Sequence, residues 1–263
     1  MIYIGTSGYS YDDWVGPYYP QNLDKKEFLS YYARDFPCTE LNFTYYRMPN
    51  VWTLEQIANK VPDGFLFTLK LYQQMTHQRE DLEGLFEEFV AALRPLLEQG
   101  KFGCLLAQFP YSFRNTPQNR SYLRFLREQL GDLPVVVEFR NREWIRPEIF
   151  ELLRENDLGF CAVDQPRFKN LVPPIAEVTS PRVAYVRFHG RNYEKWWKHK
   201  EPYERYDYTY SEEELQEWVP KIRHMDKEAE RVFVFANNHY RAQAIDTASK
   251  IHRLLSEEAS QPQ

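Results

Sequence analysis

Arg187, His189 and Arg191 occupy every second position near the end of VAYVRFHGRN, residues 183–192. The run opens with the β-branched and aromatic residues of a buried strand. Alternate residues of a strand share a face, so Arg187 and His189 are expected to point the same way, with Arg191 following around a turn at Gly190. Cationic groups at the end of an apolar strand are costly unless an anion answers them, either from the protein or from a ligand.

Polar residues close the other apolar runs as well: Thr6 and Ser7; Glu40 and Asn42; Lys70; Gln108; Glu138 and Arg140; Asp164; then Asn237, Asn238 and His239. One reading is an anion pocket in which Lys70, Arg140, Arg187 and Arg191 converge on a phosphate or carboxylate, since forked guanidinium donors fit either. Glu138 or Glu40 would then be the general base and His189 the acid, because a pocket holding both signs of charge separates their pKa values. Asn42, Tyr45, Gln108, Asp164, Asn237 and Asn238 would complete the substrate contacts. The other reading is a structural ring of ion pairs inside the fold, with Glu40 and Glu138 neutralising Arg187 and Arg140. Arg187, one side-chain layer below His189, suits the structural role; His189 and Arg191 suit the functional one. Asn237 and Asn238 either bind substrate or cap the next helix.

His77, His189, His239, Glu40, Glu138 and Asp164 are acceptable metal ligands by type. Four cations beside them would repel a divalent ion, and HExxH, CxxC and DxD spacings are absent, so no cofactor is expected. The GTSGYS segment, residues 5–10, offers a Gly-Ser loop after the first strand but lacks Walker or dinucleotide-binding spacing. A turn is expected there. Ser7 lacks the second glycine of a nucleophile elbow. His77, in a loop, reads as structural.

These groups need a scaffold that gathers strand ends. Short apolar runs recur at residues 2–5, 38–42, 65–70, 102–109, 135–139, 159–163, 183–188 and 232–236. Between most of them lie stretches of helical periodicity, at residues 24–36, 51–61, 82–98, 118–130, 148–156 and 212–225, with 242–255 closing the chain. Ser211 followed by three glutamates marks one helix start. Eight strand–helix units in about 250 residues point to a (β/α)8 barrel rather than an open doubly wound sheet. Two joints depart from the ideal. Residues 165–182 hold Pro166, Pro173, Pro174 and Pro181, which argues against a full sixth helix. Residues 190–210 form a long aromatic loop that would serve as a lid. The expected domain covers residues 1–255, followed by a frayed tail at 256–263.

The chain has 263 residues, a formal net charge of -5 and 43% hydrophobic residues, the profile of one globular domain without a general attraction for nucleic acid or acidic membrane. Cys38, Cys104 and Cys161 lie in strands without metal-ligand spacing and read as buried thiols of a reducing cytoplasm. Met1 leads directly into a strand, and apolar runs of membrane-spanning length are missing, so a cytosolic location is expected. Aromatic residues make up 16% of the chain, many in loops, where they either roof the core or stack on sugars and bases.

The segments GTSGYSYDDWVGPYYP, TELNFTYYRMP, FTLK followed by THQR, LAQFPYSF, VVVEFR followed by Trp144, VDQP, YVRFHGRN and FANNHY resemble, in order, those of the YecE-like family, domain of unknown function 72. The resemblance runs from Ile4 to about Ala248. It implies a TIM-type barrel, similar in fold to those of xylose isomerase and endonuclease IV, and carries no assigned reaction. The expectation is a barrel enzyme, hydrolase-like or isomerase-like, acting by acid–base chemistry on a phosphoester or sugar-phosphate-like anion. Alternatives are a nucleic-acid-binding module using Lys70, Arg140, Arg191 and Lys195 with loop aromatics, or a regulatory barrel without chemistry.

Overall fold

Eight strands pair in chain order and the last closes on the first in the computed structural model, which describes residues 1–259. They are β1 (Ile2–Ser7), β2 (Cys38–Leu41), β3 (Leu66–Lys70), β4 (Phe102–Gln108), β5 (Val135–Glu138), β6 (Leu158–Asp164), β7 (Val183–Phe188) and β8 (Arg231–Ala236). All pairs are parallel, and β8 meets β1 from Ile2 opposite Val232 to Thr6 opposite Ala236. Parallel strands need crossovers, and a ring of helices supplies them. The chain is therefore a (β/α)8 TIM-type barrel. Its strands are buried on both faces, which is why they read as unbroken apolar runs.

The outer helices are shorter than their periodicity implied, for local reasons. The stretch 82–98 divides into α4 (Leu85–Ala92) and α5 (Arg94–Glu98) because Pro95 sits in the first turn of the second helix. Pro220 separates α8 (Glu212–Gln216) from α9 (Val219–Glu228) in the same way. Ser211 caps α8 in a complete capping box with Glu214. The stretch 24–36 holds only a 3-10 turn (Lys25–Glu27) and α1 (Phe28–Tyr32). Residues 165–182 form no helix, as their prolines require. At the carboxyl end, α10 (Gln243–Ala259) continues a turn past Leu255 into the expected tail, of which residues 260–263 lie outside the described residues.

Register sets the layers of the interior. Ser7 lies level with Glu40, and Glu40 with Thr68; Gln108 lies level with Glu138; Arg187 lies level with Phe235. Because Thr68 points into the barrel, where its hydroxyl meets Tyr185, Lys70 two residues later points inward one layer higher. Below Arg187 the Tyr185 ring packs against Phe233 at its own level and against Phe235 one layer up.

Residues 190–210 fold back over the barrel mouth and carry a 3-10 turn (Pro202–Tyr206). Asn192 Nδ2 donates to the carbonyls of Glu204 and Asp207, and Arg205 Nε donates to that of Trp196. The segment holds itself together as a compact roof.

Candidate functional site

Arg187, 2% exposed, stands at the centre of the carboxyl face. Its Nη1 donates to Glu138 Oε2 at 2.7 Å and its Nη2 to Glu40 Oε1 at 2.7 Å. Ser7 Oγ and Asn237 Oδ1 lie farther from Nη2, at 3.4 and 3.3 Å. Glu40 also accepts from the Tyr185 hydroxyl at 2.7 Å, and Glu138 Oε1 forms an ion pair with Arg140 Nη2 at 2.9 Å. Five strands thus contribute to one charge network. Burial by itself would raise the Glu138 carboxyl, but Arg140, Arg187 and His189 outweigh it and hold the group well below the usual range.

His189 is fully buried between Glu138 and Asn237. Asn237 Oδ1 faces Arg187, which leaves its Nδ2 to donate to His189 Nδ1 at 2.9 Å. The ring proton therefore sits on Nε2, 3.2 Å from Glu138 Oε1. Burial, followed by the charge of Arg140, depresses this imidazole to about 3 in spite of Glu138. A histidine kept neutral in the fold takes up a proton on unfolding at any pH between about 3 and its unfolded value near 6.5, so stability falls as pH drops through that window. His189→Gln is expected to flatten the slope of stability against pH between 6 and 4 by up to about 1.4 kcal/mol per unit. Urea unfolding at several pH values checks this, and an unchanged slope would contradict the buried neutral ring.

Above this network lies a cavity of about 430 Å³, lined in part by Glu40, Asn42, Lys70, Gln108, Arg140 and Asn237. The sequence placed all six in the site. Tyr11, Tyr46, Tyr206 and His239 also line it. Tyr206 comes from the folded-back loop, so the roof contributes directly to the wall. His239 stacks on Tyr11, with ring centroids 4.6 Å apart and planes 5° from parallel. The three tyrosines are covered in the sequence only by its abundance of loop aromatics, whereas His239 stands among the polar residues that close the apolar runs.

Lys70 differs from the other cations. Among the described residues no carboxylate lies within ion-pair reach of its Nζ, which sits 4.2 Å from the centroid of the Tyr45 ring. Burial first, then Arg187 and Arg140, push its ammonium down to about 7, against the opposing pull of Glu138 and Glu40. His77 lies edge-on to Tyr45 and is depressed to about 4 by burial and by Lys70. Tyr45 thus acts on the site through Lys70.

Three expected site residues go elsewhere. Asp164 follows the inward-facing Val163, which is level with Arg187, and so faces out of the barrel. There it accepts from Arg191 Nε and Nη2, the Tyr210 hydroxyl and Trp218 Nε1, all at 2.7–2.8 Å. Arg191 leaves the inward face because Gly190 adopts φ +88°, a left-handed turn that breaks the strand alternation. A side chain at Gly190 would also meet Tyr208 Cβ at 2.8 Å. Asn238 Nδ2 ties the Tyr208 carbonyl to the Thr247 hydroxyl, so the asparagine pair divides: Asn237 faces the cavity and Asn238 anchors the roof to α10. The backbone N–H of Gly8 is used by the Glu40 carbonyl, and no three-member group of His, Cys, Asp or Glu suited to a metal occurs among the described residues. No helix among the described residues is long and apolar enough to cross a membrane.

A family model described as "Protein of unknown function DUF72" matches residues 3–263. The chain is 33% identical to the UPF0759 protein YunF of Bacillus subtilis, covering 99% of this chain and 96% of that protein. A DUF72 family crystal structure from Thermotoga maritima superposes with a TM-score of 0.90 at 38% identity, covering 97% of this chain and 99% of the other. Another, from Enterococcus faecalis, gives 0.87 at 27% identity, covering 97% and 96%.

Proposed function

The chain belongs to the DUF72 family, and on that premise we propose that it is a barrel enzyme acting by acid–base chemistry on a small anionic substrate, phosphoester-like or sugar-phosphate-like, held at the carboxyl face. One observation carries this reading: the 430 Å³ cavity presents Lys70, a cation without a carboxylate partner among the described residues, next to Arg140. That volume is in the range of small-molecule sites. Both carboxylate oxygens of Glu138 and of Glu40 are engaged, by Arg187, Arg140, His189 and Tyr185, and His189 has both ring nitrogens engaged. Those residues serve as the charged floor. Proton transfer then falls to Lys70, whose depressed pKa of about 7 suits work at neutral pH.

Sulfate is the probe for this reading, because it keeps its charge where phosphate titrates. Isothermal titration is expected to show one sulfate bound per chain, with affinity falling as pH rises through about 7 and Lys70 loses its proton. A bound anion favours the ammonium and moves that midpoint upward. Lys70→Met is expected to weaken sulfate binding roughly tenfold and to abolish the pH dependence. Sulfate that binds equally to wild type and variant, or to neither, would remove the anion pocket.

A second reading has its own observation. Tyr193 and Trp197, each 48% exposed, stand with Phe168 and Tyr111 on the same rim, a surface suited to stacking unpaired bases. Three of its four expected cations are engaged, Arg140 by Glu138, Arg191 by Asp164 and Lys195 by Glu204, which places it second. Binding to single-stranded oligonucleotides that weakens steeply with salt would favour it.

A further inference from the structure

We infer that Lys70 is a nucleophilic amine, placed to condense with an aldehyde or ketone that also carries an anionic group; this deepens the anion-pocket reading and rests on it. An amine that attacks a carbonyl must be exposed to the substrate, free of a carboxylate and held in place. The chain contains an internal contrast on these points. Lys101, 5% exposed, spends its ammonium on the carbonyls of Ala58 and Val61 and on Gln99 Oε1, at 2.9, 3.1 and 3.2 Å, and is a structural cation. Lys70 instead lines the cavity, and its Nζ lies against the Tyr45 ring.

The backbone beneath Lys70 is fixed on both sides. Thr44 Oγ1 donates to the Lys70 carbonyl at 2.6 Å, and the Leu71 N–H donates to the Leu106 carbonyl at 2.9 Å. The charged or titratable groups facing its side chain are Arg187 on β7, Glu138 and Arg140 at the end of β5, Glu40 on β2, Tyr45 on α2 (Phe43–Tyr46), and His77 in the turn after β3. Arg140 commits one nitrogen to Glu138 and lines the same cavity, so it can take the anionic end of a substrate whose carbonyl carbon reaches Nζ.

In the step itself, the Nζ lone pair bonds to the carbonyl carbon while the C=O π pair moves to oxygen. The nitrogen loses a proton and the oxygen gains one, giving a carbinolamine. A further proton taken from solvent converts its hydroxyl to water, the C–O bond breaks, and the nitrogen lone pair closes a C=N bond. Amine, carbonyl compound and one proton become iminium and one water. The amine must be neutral, a state that an ordinary lysine reaches in roughly one molecule in 2,500 at pH 7. Lys70 reaches it far more often.

The test uses 4-formylbenzoate, an aldehyde with a carboxylate, its methyl ester as the uncharged control, and sodium borohydride to reduce any imine to a stable secondary amine. Peptide mass spectrometry of the full chain locates the label. The expected result is about one label per chain, on the peptide containing Lys70, formed at least tenfold faster with the carboxylate than with the ester and slowed by sulfate. Its rate should rise from pH 6 through about 7. Lys70→Arg, shown to be folded by its melting curve, is expected to lose this label, and Arg140→Met to lose the preference for the carboxylate. Sulfate binding with labels only on other lysines would overturn the nucleophile and leave the anion pocket standing. Equal labelling of Lys70 by both aldehydes, with no sulfate bound, would overturn the anionic substrate class.

Discussion

Arg187→Met is expected to destabilise the fold by about 3–5 kcal/mol, the cost of stranding a buried charge by removing its partner. Glu40 suffers most. It is fully buried, its one ion pair among the described residues is with Arg187, and of the partners described the Tyr185 hydroxyl would remain to it after the substitution. Glu138 keeps Arg140 and His189. Adding Glu40→Gln to Arg187→Met is therefore expected to recover a large part of the loss, since the amide needs no counter-charge. Urea unfolding of the wild type, both single variants and the double variant forms the cycle. A loss below about 1 kcal/mol for Arg187→Met would mean that the floor of the cavity is not the closed network described. The loss measures what an unpaired carboxylate costs; the whole network, exchanged for apolar residues, need not contribute net stability.

The second large effect lies outside the barrel. Asp164, 1% exposed, accepts four hydrogen bonds that tie Arg191 and Tyr210, at either end of the folded-back loop, to Trp218 at the start of α9. Asp164→Ala is expected to cost about 3–5 kcal/mol, because buried donors from tyrosine and tryptophan lose their acceptor together with the ion pair. Asp164→Asn, which keeps one acceptor oxygen, should cost less. The same change should loosen the roof, so trypsin is expected to cut at Lys198 or Lys200 faster in Asp164→Ala than in wild type under conditions where both remain folded. A wild-type urea midpoint together with wild-type cleavage would contradict the anchoring role. Sulfate binding by the folded variant separates this residue from the cavity, from which its side chain points away.

The strand ends were legible because the barrel leaves a local signature. Runs such as Val135–Val137 and Val183–Val186 are apolar throughout, as strands covered on both faces must be, and polar residues take over where the carboxyl face begins. Arg187 and His189 share a face by strand alternation alone, and both meet Glu138. The same rule misplaces Arg191, since a left-handed Gly190 intervenes and the rule holds only while the strand continues. The expected helices 82–98 and 212–225 broke where proline stood inside them, a signal present in the sequence and outweighed there by hydrophobic periodicity.

What the sequence determined by itself is the closed parallel barrel and the polar character of its carboxyl rim, because periodicity, proline positions and strand termini are properties of neighbours along the chain. What only the tertiary structure decided is which polar groups are spent and which remain available. Glu40 and Arg187 are 147 residues apart and neutralise each other. Asp164 and Arg191 pair on the outer side, and Lys70 is left as a cavity amine depressed to about 7. Charge state depends on burial and on partners brought close by register and closure, and neither distance nor dielectric environment is written in local spacing.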